Sequence, residues 1–118
     1  MYSKLELPHR IITHRANDMP NKATIEKDVE LWLAGEERWG EAGSIGMTDT
    51  FQARRGNIKY EGEGKKEFAH TIYATGGVAN RIFIAILNNF QQKDGTIKIP
   101  KVLVPYMGGI EKLEKRTK

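Results

Sequence analysis

An arginine near the start of a predicted helix is the residue best placed to do chemistry in this chain. Arg81 follows Gly76 and Gly77, and the apolar residues around it recur at helical spacing. Backbone N–H groups point outward from the first turn of a helix, and glycine lets a ligand approach the backbone closely. With a guanidinium added, these features are typical of a phosphate site. Arg81 could equally lie on the surface or pair with a carboxylate, because Gly-Gly before a helix is common.

A second candidate site consists of Glu41 and Ser44. A carboxylate with a hydroxyl three residues later can hold Mg²⁺ through oxygen ligands when a nucleotide phosphate completes the coordination shell. The same spacing also arises as a reversed capping pattern or by chance. From the residues alone, the spacing of Glu41 and Ser44 is better explained as a structural or chance pattern than as a metal site.

The remaining polar residues form no recognised catalytic motif. Arg54 and Arg55 are adjacent on a predicted strand and would project to opposite faces, so one of them could meet an anion. The three histidines lack metal-ligand spacing, and His70 is interpreted as a strand residue with a structural partner. Trp32 and Trp39 are interpreted as packing residues, because no interleaved cations mark a base-stacking surface. Nucleophile elbows, Walker loops and glycosidase-type carboxylate pairs are missing from the sequence.

Length and composition predict one soluble globular domain over residues 1–118. The chain is 39% hydrophobic and carries a net charge of +4, which weakly favours polyanions such as ATP or RNA. Part of the excess charge falls in residues 111–118, which we interpret as a solvated tail. The absence of cysteine excludes disulfides and zinc–thiolate sites. Without a signal-like start or a long apolar run, we expect a cytoplasmic protein that does not contact the membrane.

The elements that must position these residues are strands followed by one helix. Alternating Val29, Leu31 and Leu33 predict a strand with one apolar face. Apolar spacing predicts a helix over about 78–92, covered on more than one side. Other segments are predicted as an edge strand (5–13), a loop (16–27), glycine-rich turns (35–46), strands (51–60 and 68–73) joined by a hairpin connection (61–67), a turn (93–95) and short extended pieces (97–100 and 102–105). The predicted fold class is α+β, an antiparallel sheet with a packed helix.

Several segments together resemble the seryl-tRNA synthetases. The likeness extends over about 40–111 and is thinner over 8–33. Its most specific segments are Phe51-Gln52-Ala53-Arg54-Arg55-Gly56-Asn57-Ile58, Lys66-Glu67-Phe68-Ala69-His70-Thr71, Gly76 with Arg81, Ala85-Ile86-Leu87-Asn88-Asn89-Phe90-Gln91-Gln92-Lys93-Asp94-Gly95, and Ile99-Pro100-Lys101-Val102-Leu103-Val104-Pro105-Tyr106-Met107-Gly108-Gly109. So many coincident positions are more specific than any short motif.

This resemblance implies the C-terminal part of a class II aminoacyl-tRNA synthetase catalytic domain. Such ligases activate serine with ATP and Mg²⁺ and transfer it to tRNA in protein biosynthesis. Arg81 would be the motif 3 arginine that contacts the ATP γ-phosphate. Glu41 would be the glutamate that binds metal and ATP, with Ser44 as its companion and Ala42 and Gly43 between them. Thr75 falls where a small hydroxyl residue contacts the substrate serine.

The chain departs from the family pattern in two places and at its start. Tyr73 stands where the family usually has an asparagine of the serine pocket, and residues 45–48 replace a stretch that contains cysteine and asparagine. The tRNA-binding arm, motif 1, the motif 2 arginine and the serine-recognition loop would precede Met1. We therefore expect a catalytic-core fragment that is not a complete enzyme alone, and self-association or a partner chain that covers the exposed surface.

Three hypotheses stay open from the sequence. The chain is a truncated or split synthetase, a non-catalytic paralogue that binds a nucleotide or a partner, or a small basic module that binds RNA or protein. The altered positions 45–48 and 73 favour the second hypothesis over the first. The third predicts an RNA affinity that depends steeply on salt.

Overall fold

A computed structural model describes residues 1–115 and contains strands, two α-helices and one 3₁₀ helix. The strands are β1 (His9–Thr13), β2 (Ile25–Leu33), β3 (Arg38–Met47), β4 (Lys59–Gly62), β5 (Lys65–Phe68), β6 (Ile72–Ala74), β7 (Ile97–Lys98) and β8 (Lys112–Leu113). The helices are α1 (Phe51–Gly56) and α2 (Ala79–Phe90), and the 3₁₀ helix is Lys101–Met107. This mixture of helix and antiparallel sheet confirms the predicted α+β class.

The main sheet has four strands in the order β1-β2-β3-β6. Strand β6 pairs with β3 in antiparallel fashion, with Ile45 opposite Ala74 and Met47 opposite Ile72. The other two sheets are small and also antiparallel, β4 with β5 and β7 with β8. No helix within residues 1–115 is long and apolar enough to cross a membrane.

The chain divides into two compact units. The first contains Met1–Arg10, Glu30–Ala42 and residues 77–115, and the second contains Ile11–Val29 and Gly43–Gly76. Whether they make up the one domain predicted over residues 1–118 stays a prediction.

Helix α2 and its strands form the core of the first unit. The buried side chains are Leu5, Leu7, Leu31, Leu33, Ala42 and Ala85, with Tyr2, Ile82, Ile86, Phe90 and Leu103 packed against them. This arrangement confirms the predicted helix and the apolar face of β2. The expected cover on more than one side of α2 is not met within the described chain, because Phe83 and Ile84 remain 58% and 44% exposed.

Helix α1 lies where a strand was predicted, so that prediction is wrong. Gln52, Ala53 and the two arginines are better helix formers than strand formers, and Ala53 is completely buried. Asn57 then ends the helix in the left-handed conformation, with a φ of 52° and its N–H bonded to the Ala53 carbonyl. Arg54 and Arg55 therefore occupy the last turn of a helix and do not project to opposite faces of a sheet.

The hairpin predicted after α1 is present, with a shorter turn than expected. Strands β4 and β5 take up most of the segment 61–67, leaving Glu63 and Gly64 as the turn. Both residues have positive φ, 48° and 77°, as a two-residue hairpin turn of type I′ requires.

Four other boundaries differ from the predictions. Strand β1 begins only after Pro8, β2 begins at Ile25 inside the predicted loop, and β3 replaces most of the predicted glycine-rich turns. The segment predicted as the strand 68–73 is interrupted between β5 and β6. Strand boundaries depend on hydrogen bonds to neighbouring strands, which the local sequence does not predict.

The C-terminal segment also differs. Residues 102–105 belong to a 3₁₀ helix and are not extended, because Pro100 precedes the helix and its carbonyl accepts the Leu103 N–H at 2.8 Å. The fixed φ of Pro105 is compatible with that helix. Of the predicted solvated tail, Lys112–Leu113 pairs with β7 as β8 while staying exposed. Residues 116–118 lie outside the described chain.

Candidate functional site

Arg81 lies in the first turn of α2, as predicted, and its Nη1 atom donates a hydrogen bond to the backbone carbonyl of Glu41 on β3. Arg81 is exposed, so the alternative that it lies on the surface is consistent with the structure. The bond to the Glu41 carbonyl accounts for one of the five N–H donors of a guanidinium. It fixes the Arg81 head group beside Glu41 in the first unit.

A cavity of about 320 Å³ lies beside Arg81 within the first unit. Its lining combines apolar side chains with two residues of each charge: Leu31, Leu33, Ala42, Ile84 and Gly40, with Glu36, Glu41, Arg38 and Arg81. Arg38 is paired with Glu36 at 2.6 Å. An apolar cavity with a few converging polar groups is the usual form of a small-molecule site, and this volume falls at the lower end of the range.

Gly40 lines this cavity and lies against Leu33 of the apolar core. A Cβ atom at position 40 would lie 3.1 Å from the Leu33 Cδ1 atom and 3.8 Å from an Arg38 guanidinium nitrogen. A side chain here would press on Leu33, whereas its distance to Arg38 is that of an ordinary van der Waals contact.

Four of the other predicted site residues lie in the second unit. Ser44 and Thr75 are neighbours across β3 and β6, because the Thr75 N–H donates to the Ser44 carbonyl at 2.9 Å. A Cβ atom at Gly43 would lie 2.8 Å from the Thr75 carbonyl oxygen, so only glycine permits this approach. Thr75 is exposed, which leaves its hydroxyl accessible. Glu41 and Ala42 belong to the first unit, whereas Gly43 and Ser44 belong to the second.

Tyr73 is held by three neighbours in the second unit. Its hydroxyl donates to Glu26 Oε1 at 2.6 Å, its ring lies over Gly46, and the Lys22 ammonium is 4.2 Å from the ring centroid. Burial, followed by the hydrogen bond to Glu26, raises the pKa of Tyr73 to about 12. The side chain is therefore neutral and fixed at physiological pH.

Sequence reasoning missed Glu26 and Asp28, which are buried on β2 with 7% exposure each. Asp28 Oδ2 pairs with His14 Nε2 at 2.6 Å, and this hydrogen bond raises the pKa of His14. The signal was available, because two carboxylates two residues apart in a strand point to the same side. Glu26 was missed because residues 16–27 were interpreted as a surface loop, and Asp28 because the strand was recognised only from Val29 onwards.

The remaining polar candidates are structural. His70 lies between β5 and β6, so its predicted place in a strand is wrong, but it pairs with Asp49 at 3.3 Å as the predicted structural partner. Trp32 packs edge-on against Trp39 with ring centroids 5.3 Å apart, as expected of packing residues. A cation does accompany them, since the Arg10 guanidinium lies 4.6 Å from the Trp39 ring centroid. Within residues 1–115, no three His, Cys, Asp or Glu residues cluster as a metal site.

Comparison with known proteins gives a consistent result. No protein-family model matches the chain. Serine–tRNA ligase of Nitratidesulfovibrio vulgaris is 43% identical over 115 residues, which are 96% of this chain and 27% of the relative. Serine–tRNA ligase of Metamycoplasma arthritidis is 45% identical over 111 residues, 93% of this chain and 26% of the relative.

Solved structures with the same fold come from the same group of enzymes. Seryl-tRNA synthetase from Pyrococcus horikoshii, complexed with ATP, matches with a TM-score of 0.92 and 32% identity over 98% of this chain and 26% of its own. The cytoplasmic serine–tRNA ligase of Naegleria fowleri, in complex with AMP, matches with a TM-score of 0.89 and 28% identity. Over nearly its whole length, this chain is therefore related to the seryl-tRNA synthetases, with the fold of part of their catalytic domain, and it spans about a quarter of the length of the relatives it matches.

Proposed function

We propose that this chain supplies ATP-binding residues to an active site of the seryl-tRNA synthetase type. The ancestral reaction is ATP-dependent activation of serine followed by transfer to tRNA. The observation that carries the proposal is the anchoring of Arg81 to the Glu41 carbonyl, beside a cavity lined by charged and apolar side chains.

Arg81 suits a triphosphate for two reasons. A guanidinium presents several donors in a fixed plane, and charge-assisted bonds to phosphate are stronger than neutral ones. Its position in the first turn of α2 adds the positive end of the helix dipole. The related synthetase from Pyrococcus horikoshii is complexed with ATP, which supports a nucleotide as the ligand.

Glu41 is the proposed ligand for Mg²⁺, with Ser44 as a second oxygen donor. Magnesium is usually held by one or two protein carboxylates together with substrate phosphates, so one acidic residue is sufficient when ATP is present. Bound Mg²⁺ would neutralise phosphate charge. The side chains here need supply no nucleophile, because activation of an amino acid is an in-line displacement at phosphorus that depends on positioning and charge stabilisation.

Thr75 and Tyr73 are the proposed contacts to the amino acid. The exposed Thr75 hydroxyl suits a small polar substrate, whereas the bulk of Tyr73 alters the serine pocket that the family resemblance implies. Because the chain spans about a quarter of its relatives' length, we propose that turnover and tRNA binding need groups beyond these 118 residues.

Titration calorimetry of the 118-residue chain with ATP and Mg²⁺ tests the nucleotide site. Hydrogen bonds to charged groups contribute about 1.5–3 kcal/mol, so Arg81→Ala should weaken binding by about 10- to 150-fold. Arg54→Ala is the matched control, since it removes the same charge from an exposed position on α1. Absence of ATP binding by the parent chain, or an equal loss in both variants, contradicts the proposal.

The alternative function is a non-catalytic module that binds a nucleotide or a partner. The hydrogen bond from Tyr73 to Glu26 favours this alternative, because it engages a residue proposed to contact the substrate. Serine-dependent exchange of pyrophosphate into ATP separates the two candidates. A related synthetase that lacks this quarter of its length would be mixed with the chain. Recovery of exchange supports the enzyme role, and ATP binding without recovery supports the alternative.

A further inference from the structure

Helix α2 contains two adjacent asparagines near its C-terminal end, Asn88 and Asn89. Asparagine is a poor residue for a helix interior, because its side chain competes for the hydrogen bonds of the backbone. Both side chains bond the carbonyl four residues earlier, at 3.1 Å to Ile84 and at 2.8 Å to Ala85. Helix propensity therefore does not account for this pair of asparagines, whereas their contacts outside α2 do.

Each asparagine also bonds the backbone at the end of β2 or in the turn that follows it. The Asn89 Nδ2 atom donates to the Trp32 carbonyl at 2.7 Å, and the Gly35 N–H donates to Asn88 Oδ1 at 2.9 Å. A Cβ atom at position 35 would lie 2.8 Å from that same oxygen, so the close approach of the turn needs glycine. We call these four residues the asparagine clamp, and all of them belong to the first unit.

The clamp and Arg81 attach the same face of α2 to one segment of the chain, Glu30–Ala42. Arg81 and Asn88 are seven residues apart, which is about two helical turns and about 10 Å along the helix axis. Arg81 bonds the Glu41 carbonyl, and Asn88 bonds Gly35. The helix is therefore held at both ends, which fixes its position along the segment and its rotation.

The cavity beside Arg81 is lined by the two elements that the clamp joins. Arg81 and Ile84 line it from α2, and Gly40 lines it from the Glu30–Ala42 segment. Ile84 lies one turn before Asn88, whose side chain bonds the Ile84 carbonyl. The distance between α2 and this segment therefore sets the width of the cavity and the place at which the Arg81 guanidinium is held.

We propose that Asn88 and Asn89 are positioning residues for Arg81, which they hold in place without contacting the nucleotide. This inference rests on the proposed ATP site and adds the residues that orient its guanidinium. A guanidinium is suited to phosphate because its donors form a rigid plane, and that advantage requires the plane to be fixed in advance. Loss of the clamp should weaken the interaction that Arg81 makes and leave the fold intact, because the apolar contacts of α2 with the core of the first unit remain.

Titration calorimetry of the 118-residue chain with ATP and Mg²⁺ tests the clamp through a double-mutant cycle. Combining Asn88→Ala with Asn89→Ala should weaken ATP binding by about three- to tenfold in the parent chain and leave it unchanged in an Arg81→Ala background. Alanine is the better helix former, so the loss would not come from a weaker helix. Asn80→Ala makes the same exchange at an exposed position of α2 and should change little. Equal losses with and without Arg81 would overturn the proposal.

Gly35→Ala tests the clamp from the opposite side. Its Cβ atom would displace the Asn88 amide, so this variant should weaken ATP binding to a similar extent as Asn88→Ala alone. The two changes together should cost no more than either one, because the displaced group is already missing. Additive losses contradict the clamp. These single changes also decide the outcome where the paired asparagine variant does not fold.

Nuclear magnetic resonance signals of the arginine side chains report on the clamp without ATP. In the paired asparagine variant, the Arg81 guanidinium N–H groups should exchange with water about three- to tenfold faster, since their bond to the Glu41 carbonyl is no longer held. Unchanged exchange would refute the positioning role whether or not ATP binds. Faster exchange in a chain that does not bind ATP would reject the proposed nucleotide site while supporting the clamp.

Discussion

Tyr73 lies across Gly46, its partner on the neighbouring strand, so closely that a Cβ atom at position 46 would fall 2.3 Å from the Tyr73 Cζ atom. No side chain fits there while the ring keeps its place. The hydroxyl of Tyr73 holds that place through its hydrogen bond to Glu26. The tyrosine at position 73 and the glycine at position 46 therefore depend on each other.

The first prediction concerns this pair. Gly46→Ala should lower the free energy of unfolding by about 1–3 kcal/mol, the usual cost of overpacking a filled site. Urea denaturation measures the change. Gly76→Ala is the control, because nothing lies within 4 Å of a Cβ atom at that position.

A double variant separates the clash from other effects of alanine. In a Tyr73→Ala background the ring is gone, so Gly46→Ala should cost much less than it does in the parent chain. Additive losses would mean that the two positions are not coupled.

The second prediction concerns ionisation of Tyr73. With a pKa of about 12, it should ionise well above an ordinary tyrosine, whose pKa is about 10. As the pH rises, Tyr73 loses its proton at a lower pH in the unfolded chain than in the folded one. Its contribution to the free energy of unfolding is therefore complete below about pH 10 and is lost as the pH rises towards 12. Ultraviolet titration should lose its most basic tyrosine transition in Tyr73→Phe, and a retained transition contradicts the assignment.

The third prediction concerns the pH dependence of the His14–Asp28 pair. The hydrogen bond to Asp28 raises the folded pKa of His14 above its unfolded value of about 6.5. The contribution of the pair is therefore complete below that pH and is lost as the pH rises through the folded pKa. Urea midpoints at about pH 5.5 and 8.5 should differ more for the parent chain than for His14→Gln. Equal differences would exclude the pair as the cause.

The fourth prediction concerns association through α2. Phe83 and Ile84 are large, exposed and adjacent on that helix, which favours self-association or a partner. Phe83→Asp should shift sedimentation profiles towards the monomer. Asn80→Asp introduces the same charge at an exposed position of the helix and should change little. Monomers of the parent chain at high concentration contradict this prediction.

Local pattern was sufficient for the elements with strong periodicity. The spacing of apolar residues predicted α2 to within two residues, and the alternation of Val29, Leu31 and Leu33 predicted β2 with its buried face. Family resemblance, distributed over the chain, predicted the relationship to seryl-tRNA synthetases from the residues alone. These features depend on neighbours in sequence or on many positions at once.

The tertiary structure decided the features that depend on residues far apart in sequence. Helix α1 was predicted as a strand, because six residues carry too little periodicity. Strand β3 was not predicted, because its glycines and charged residues show no strand pattern without the neighbouring strands. Arg81 meets the Glu41 carbonyl 40 residues away, and Tyr73 meets Glu26 47 residues away. Hydrogen bonds and burial of this kind depend on where the folded backbone brings two groups together, which no local pattern specifies.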